Sequence, residues 1–218
     1  MSFLNMRFTL IAVGAVVLFT SGFRLQREQS IRPKLNHRSQ LTNWDLDGSG
    51  SWDIADAKLQ LIKAGTPSGP FRRPAALAIL KTGSFEQVTV ELDLRSLAPI
   101  NVPRRDVDLV VGYESPTRFY YVHLSAVTDD VHNGIFLVAD ADRRRIDAGK
   151  GIPQMKDQAW HRAKVVRNGT RGNIEVFFDG SKSAVLSAVD TTIKAGRVGV
   201  GSFDDTAEFK NILVTGSQ

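Results

Sequence analysis

From residue 40 onward, short runs of the chain alternate apolar and polar side chains with a two-residue period, and this pattern limits its folding more than any other feature. In VTVELDLR (88–95), Val88, Val90, Leu92 and Leu94 fall on one side, and Thr89, Glu91, Asp93 and Arg95 on the other. Successive side chains of an extended chain point to opposite faces, so the run describes a half-buried strand. Similar runs follow at VDLVVGYE (107–114), FYYVHLS (119–125), GIFLVAD (134–140), HRAKVVRN (161–168), NIEVFFDG (173–180), GRVGVGSF (196–203) and AEFKNILVTG (207–216).

Turn chemistry divides these runs: ESPT at 114–117, Asn-Gly at 133–134 and 168–169, RGN at 171–173 and Asp-Gly at 179–180. The Asp179-Gly180 turn, with apolar residues resuming at Ala184-Val185-Leu186, predicts a hairpin at the edge of a sheet. Gly196, Gly199 and Gly201 inside one run predict a bulge or a close backbone approach. No long amphipathic segment lies between the runs. The expected fold is all-β, a two-sheet antiparallel β-sandwich spanning residues 40–218.

Composition closes off several functions. The chain has 218 residues, 42% of them hydrophobic and 23% charged, and no cysteine. Disulfides, thiolate metal sites, cysteine nucleophiles and cysteine-linked lipids are therefore excluded. The net charge of +5 is scattered, its densest run being Arg143 to Arg145, and no nucleic-acid-binding motif accompanies it. Residues Phe8 to Phe19 form an uncharged stretch behind Arg7 and ahead of Thr20-Ser21-Gly22. That is the pattern of a secretory signal peptide over residues 1–22, or of an uncleaved N-terminal anchor. Residues 23–39 read as a polar linker, and the expected location is outside the cytoplasm: periplasmic, extracellular or membrane-anchored facing outward. Contact with a membrane is expected only through the leader.

The segments GSWDIADAKLQL, FEQVTVELDLR, VDLVVGYESPTRFYYVHLS, NGIFLVADADRRRI, WHRAKVVRNGTRGNIEVFFDG and GRVGVGSFDDTAEFKNILVTG, in that order, resemble the concanavalin A-like lectin/glucanase superfamily. Within it they look most like laminin-G-like jelly rolls and 3-keto-disaccharide hydrolase-like domains. The resemblance covers about residues 44–216 and implies that the sandwich is a jelly roll. The superfamily includes glycan-binding modules, glycoside hydrolases, lyases and protein-binding domains, so it implies no single activity.

Three constellations are candidate sites. Glu91 and Asp93 share one strand face, and the resemblance makes them a partial match to the E-x-D-x-x-E motif of laminarinase-like hydrolases; Ser96 stands where the second Glu falls. With His123 they are the catalytic candidates. The run DLDGSGSWDIAD places Asp45, Asp47, Ser49, Ser51, Asp53 and Asp56 at calcium-loop spacing, with Gly50 at the sharp turn. A sandwich hairpin explains the same letters: strand at 51–54, turn at 55–58, strand at 59–62. In FYYVHLS, the more apolar set of Tyr120, Val122 and Leu124 faces the core. Tyr121 and His123 are then expected to line the concave face, with Asp108, Tyr113, Asn133, Arg143 and Arg145 as neighbours able to bind sugar hydroxyls.

Trp52 and Trp160 are expected as core anchors, and Asp204 and Asp205 are further candidates for a structural calcium site of the kind some jelly rolls carry. No cofactor is expected apart from such a calcium ion, and no nucleic acid as partner. The leading expectation is an exported, non-catalytic domain that binds carbohydrate or another cell-envelope polymer. The alternatives are hydrolysis of a glycosidic or 3-keto-glycosidic bond, and a protein-interaction or structural module.

Overall fold

A computed structural model describes residues 28–217 except 68, 148, 150, 152 and 153. The leader and residues 23–27 of the expected linker lie outside the described residues.

Two antiparallel sheets face each other. The eight-stranded sheet runs β13 (Leu186–Val189), β12 (Asn173–Phe178), β11 (His161–Asn168), β6 (Gln87–Ser96), β15 (Ala207–Ser217), β4 (Lys58–Lys63) and β3 (Ser51–Ala55), with β1 (Gln29–Ile31) added to β15. The seven-stranded sheet runs β10 (Arg144–Arg145), β9 (Gly134–Ala139), β8 (Arg118–Ser125), β7 (Asp106–Ser115), β14 (Arg197–Ser202), β5 (Ala76–Leu80) and β2 (Trp44–Gly48). This is the expected sandwich. Its strands fall within a residue or two of the alternating runs.

The alternation decides which side chains meet between the sheets. Val88, Val90, Leu92 and Leu94 of β6 are buried there, as are Tyr120, Val122 and Leu124 of β8. Trp44 and Trp52 join this core, but Trp160 does not. The Trp160 ring is only partly buried and takes Arg95 and Lys210 against it, 4.8 and 3.9 Å from its centroid. Its neighbours are cations, drawn to the electron-rich face of the ring. The predicted hairpin at Asp179-Gly180 forms, both residues having positive φ, and it leaves β13 at the sheet edge.

Two features depart from the sequence reading. Residues 29–31, expected within a linker, pair with Val214 to Gly216, and Leu35 packs into the core. The ALAIL run of β5 shows no alternation because all five residues are buried, with one face on each of two apolar layers.

The glycines of the 196–203 run behave as expected. A β-bulge interrupts pairing between Arg197 and Gly199. A Cβ on Gly196 would lie 2.3 Å from the Gly112 carbonyl carbon and 2.6 Å from the Tyr113 nitrogen, both backbone atoms with little freedom to move. Gly196→Ala should lower the unfolding free energy by about 1–3 kcal/mol in urea denaturation. An unchanged midpoint would contradict this account of the close approach.

On the wet face of the eight-stranded sheet, Glu208 is 4% exposed and receives Lys58 Nζ at 3.0 Å, Gln60 Nε2 at 2.6 Å and the Arg95 guanidinium. Burial raises its carboxyl, but these partners outweigh burial and hold it below the ordinary 4.5. The folded chain thus keeps Glu208 ionised more firmly than the unfolded chain does. That stabilisation is complete above the unfolded value and is lost as pH falls through the lower folded value. Glu208→Gln should flatten the acid limb of the stability–pH curve below pH 4.5; an unaltered limb would show the clamp contributes nothing.

Candidate functional site

The face of the seven-stranded sheet turned away from the core carries a second apolar layer: Leu77, Ile79, Val110, Tyr113, Phe119, Tyr121, Phe136 and Val138. Alternation places them there, because their strand neighbours Ala78, Leu109, Tyr120 and Leu137 point inward. Gly199 and Gly201 keep the middle of this face low. A Cβ on either would strike the side chain of Ile79 or Leu77 and a carbonyl of β5.

At one end of this layer, where β7 begins and β8 ends, the same outward positions hold polar residues. Asp108 and His123 are register partners, and His123 Nδ1 stands 2.8 Å from Asp108 Oδ1 and 3.5 Å from Asp106 Oδ2. The Asp106 carboxylate accepts from Ser202 Oγ and from the Phe203 amide at 3.1 Å, while its own amide donates to Asp205 Oδ2 at 2.8 Å. The His123 ring meets Tyr121, Phe136 and Phe203 edge-on, with centroids 6.1 Å away in each case. Arg143 Nη1 donates to Tyr121 Oη at 2.7 Å, and its guanidinium lies over Phe203 and Phe136.

Burial governs the charge states. It raises the Asp106 and Asp108 carboxyls well above the ordinary range. His123 opposes that rise at Asp106, and Arg143 opposes it at Asp108. Burial also lowers His123, although Asp106 pulls the other way. His123 Nδ1 and Asp108 Oδ1 share one hydrogen bond in which either group can be the donor. Asp108 Oδ2 and His123 Nε2 are both buried and have no hydrogen-bond partner.

The sequence reading gathered part of this site and misplaced the rest. Tyr121, His123, Asp108 and Arg143 do converge. Tyr121 and His123 do not line an open face, however, being 0% and 1% exposed. Tyr113 shares their face, but its hydroxyl donates to Asp47 at 3.2 Å, where β2 and β5 lie. Asn133 is fully buried, bonding Thr128. Arg145 is spent on the loop before β9, donating to the carbonyls of His132 and Asn133 at 3.2 and 3.1 Å and to Asp147 at 2.7 Å.

Glu91 and Asp93 lie on the outer face of the other sheet, where both receive the Arg162 guanidinium, at 3.2 and 3.1 Å. The carboxylates of the expected calcium loop do not converge. Asp45 and Asp47 sit on β2, Asp53 on β3 and Asp56 at the turn after it, in two different sheets. Arg197 and Lys81 hold Asp45, Arg73 holds Asp47, and Arg38 stands 3.5 Å from Asp53. Ser49 Oγ bonds Thr66, and Ser51 begins β3. The hairpin reading of this stretch is the one observed. Asp204 and Asp205 come within 4.8 Å of Asp106, as ligand atoms of one possible metal group; Asp106, Asp108 and His123 form another.

Asp106, Phe203, Arg72 and Asp142 were missed. The D-x-D at 106–108 was a visible signal: acids at outward positions of an otherwise apolar strand.

A strap closes the site. Arg72 N donates to Asp142 Oδ1 at 2.8 Å, and Arg143 N donates to Arg72 O at 2.9 Å. These segments border β5 and β9, four strand spacings apart, about 19 Å along the sheet. Arg72 stands only four residues before Ala76, a reach of about 14 Å at most. The strap and the 142–143 rim therefore meet above the face and not beside it, with Arg72 over Phe203. Asp142→Ala should speed hydrogen exchange of the Arg72 amide by about tenfold, the loss of one hydrogen bond to a charged group; unchanged exchange would mean the strap is held elsewhere.

No protein-family model matches the sequence, and no curated protein matches it. Among solved structures, the carbohydrate binding module CBM66 from Bacillus subtilis superposes with a TM-score of 0.59 at 17% identity, covering 78% of this chain and 93% of the module. The winged bean acidic lectin, complexed with methyl-alpha-D-galactose, gives 0.59 at 12% identity over 88% and 99%. Lectin I from Ulex europaeus, in complex with the methyl glycoside of alpha-L-fucose, gives 0.56 at 11% over 87% and 98%. The chain shares the jelly-roll sandwich fold of these proteins.

Proposed function

We propose that this protein works outside the cytoplasm as a carbohydrate-binding domain, taking its sugar on the outer face of the seven-stranded sheet beneath the strap. One observation carries the reading: an aromatic layer of Tyr121, Phe136 and Phe203 adjoins Asp108, His123 and Arg143, whose buried polar atoms are not all satisfied. A sugar presents apolar ring faces and hydroxyls, and needs aromatic surface and polar groups side by side. The structural neighbours include a carbohydrate binding module and lectins, which supports the same reading. Export rests on the leader at residues 8–19. A sugar enters when the Arg72–Asp142–Arg143 contact opens. Among the described residues, the large exposed apolar side chains Leu46, Ile62, Ile100 and Val189 stand on β2, on β4, in the loop after β6 and on β13, which offers little to the interaction-module reading.

A second reading, hydrolysis of a glycosidic or 3-keto-glycosidic bond, draws on the raised Asp106 and Asp108 carboxyls beside His123. A carboxyl kept protonated by burial is what a general acid requires.

Both are tested by presenting the full chain, Asp142→Ala and Arg143→Gln to a glycan array, and by assaying reducing-sugar release from polysaccharides and 3-keto-glucosides. The binding reading expects retention of at least one glycan class, tighter in Asp142→Ala and about tenfold weaker in Arg143→Gln. Retention without release favours binding alone, and release favours hydrolysis. If neither the native chain nor Asp142→Ala retains any glycan, the carbohydrate reading fails.

A further inference from the structure

The outer face of the eight-stranded sheet divides into two unlike halves. In one, charged side chains are tied together across the strands. Arg162 reaches Glu91 and Asp93, Asn211 reaches Asp93, and Lys58, Gln60 and Arg95 converge on Glu208. The other half, where β6 begins and β15 finishes, carries almost no charge. Strand register aligns Ser187, Glu175, Val166, Thr89, Thr215 and Ser30 in one row across β13, β12, β11, β6, β15 and β1. A second row beside it holds Val189, Asn173, Asn168, Gln87 and Ser217. Alternation turns both rows away from the core, since Val88, Val165, Val176 and Val214 between them point inward. Glu175 is the only charged residue in the two rows.

Short side chains leave this part of the surface low. Gln87, Thr89, Asn168 and Thr215 line a hollow of about 400 Å³, and Asn173, Glu175, Ser187 and Val189 line another of about 370 Å³. Because β11 and β12 are paired neighbours, the hollows adjoin. Together they make a trough across five strand spacings, about 24 Å. Glu28 stands at its β1 end, and the half-buried Phe177 ring borders it two residues beyond Glu175. Among the described residues, the side chains of Gln87, Thr89, Asn173, Ser187 and Thr215 make no hydrogen bond within the protein. Their hydroxyls and amides keep both donors and acceptors for a ligand.

The lining selects the ligand. A polyanion finds no lysine or arginine in either row and meets Glu28 and Glu175 instead. The Arg167 guanidinium beneath the floor is turned inward, to the carbonyls of Ile193 and Lys194. A protein partner would want a cluster of large apolar anchors, which the rows lack. An uncharged sugar matches on both counts. Its hydroxyls donate and accept as the lining groups do, and Val166 and Phe177 offer apolar surface to its ring faces. The length of the trough suits several consecutive sugars of an extended chain.

We propose that this trough is a second carbohydrate site, which binds an extended, uncharged polysaccharide laid across the strands of the eight-stranded sheet. It lies on the opposite face of the sandwich from the site beneath the strap and does not depend on it.

The test is affinity electrophoresis of the full chain through gels containing laminarin, xylan or galactomannan, with carboxymethyl cellulose as the charged comparison. At least one neutral polymer should retard the native chain, and a six-sugar fragment of it should compete about tenfold better than a two-sugar fragment. Thr89→Arg, which fills the trough floor, should abolish the retardation, and Gln87→Ala should weaken it about fivefold. Both positions lie on a wet strand face, so both variants should melt within about 2 °C of the native chain. Retardation that survives Arg143→Gln while Thr89→Arg removes it separates this site from the one beneath the strap. No retardation by any neutral polymer, stronger retardation by carboxymethyl cellulose, native retardation of the folded Thr89→Arg chain, or its abolition by Arg143→Gln would each overturn the proposal.

Discussion

The structure depends on burying the β7–β8 hairpin on both faces. Inward, its alternating side chains meet the eight-stranded sheet; outward, Val110, Tyr113, Phe119 and Tyr121 sit in a second apolar layer. Eight consecutive residues of β7, Asp106 to Tyr113, are buried. A strand enclosed this way has no wet side on which to place a polar residue cheaply. Each polar group it carries must find a partner inside the protein, at a cost of about 1–3 kcal/mol if it does not. Asp106, Asp108 and His123 therefore form a network by necessity.

The second layer also sets what the surrounding loops must do. Arg143 lies over Phe203 and Phe136, Arg197 over Tyr113 and Arg72 over Phe203, so the roof is made largely of guanidinium groups. A planar guanidinium stacks on a ring while its nitrogens reach sideways to carbonyls and carboxylates. That explains why the Arg143 to Arg145 run, which looks like a solvated charge cluster in the sequence, is mostly engaged. Arg143 seals the face, Arg145 ties the loop before β9, and Arg144 alone stays exposed, reaching Asp190.

The fold was legible in the sequence because a period of two survives wherever one strand face is wet. β6, β11 and β12 show it plainly, and their bounds match the alternating runs closely. It was lost where both faces are dry. β5 gives no alternating signal, and in β8 the choice of inward set was right while the inference that the other set is exposed was not. Periodicity separates two faces without saying what covers the outer one. Here the cover comes from Arg143, 22 positions from Tyr121, and from Arg72, which meets Asp142 across 70 positions of chain, contacts that no local pattern encodes. The calcium-loop spacing misled for a related reason. β2 and β3 are adjacent in sequence but belong to different sheets, so carboxylates close along the chain are parted in space.

The pairing of β1 with β15 has a mechanical consequence. Gln29 lies opposite Gly216, and Ile31 opposite Val214, so the two ends of the described body emerge side by side on one ladder. Tension applied between those ends would pull across the hydrogen bonds and part them singly, like a zipper, where shear would have to break them together. The first three-residue ladder would yield at low load, and the sandwich behind it would keep its shape. A domain tethered through that end could lengthen under strain without disturbing the polar network at the start of β7.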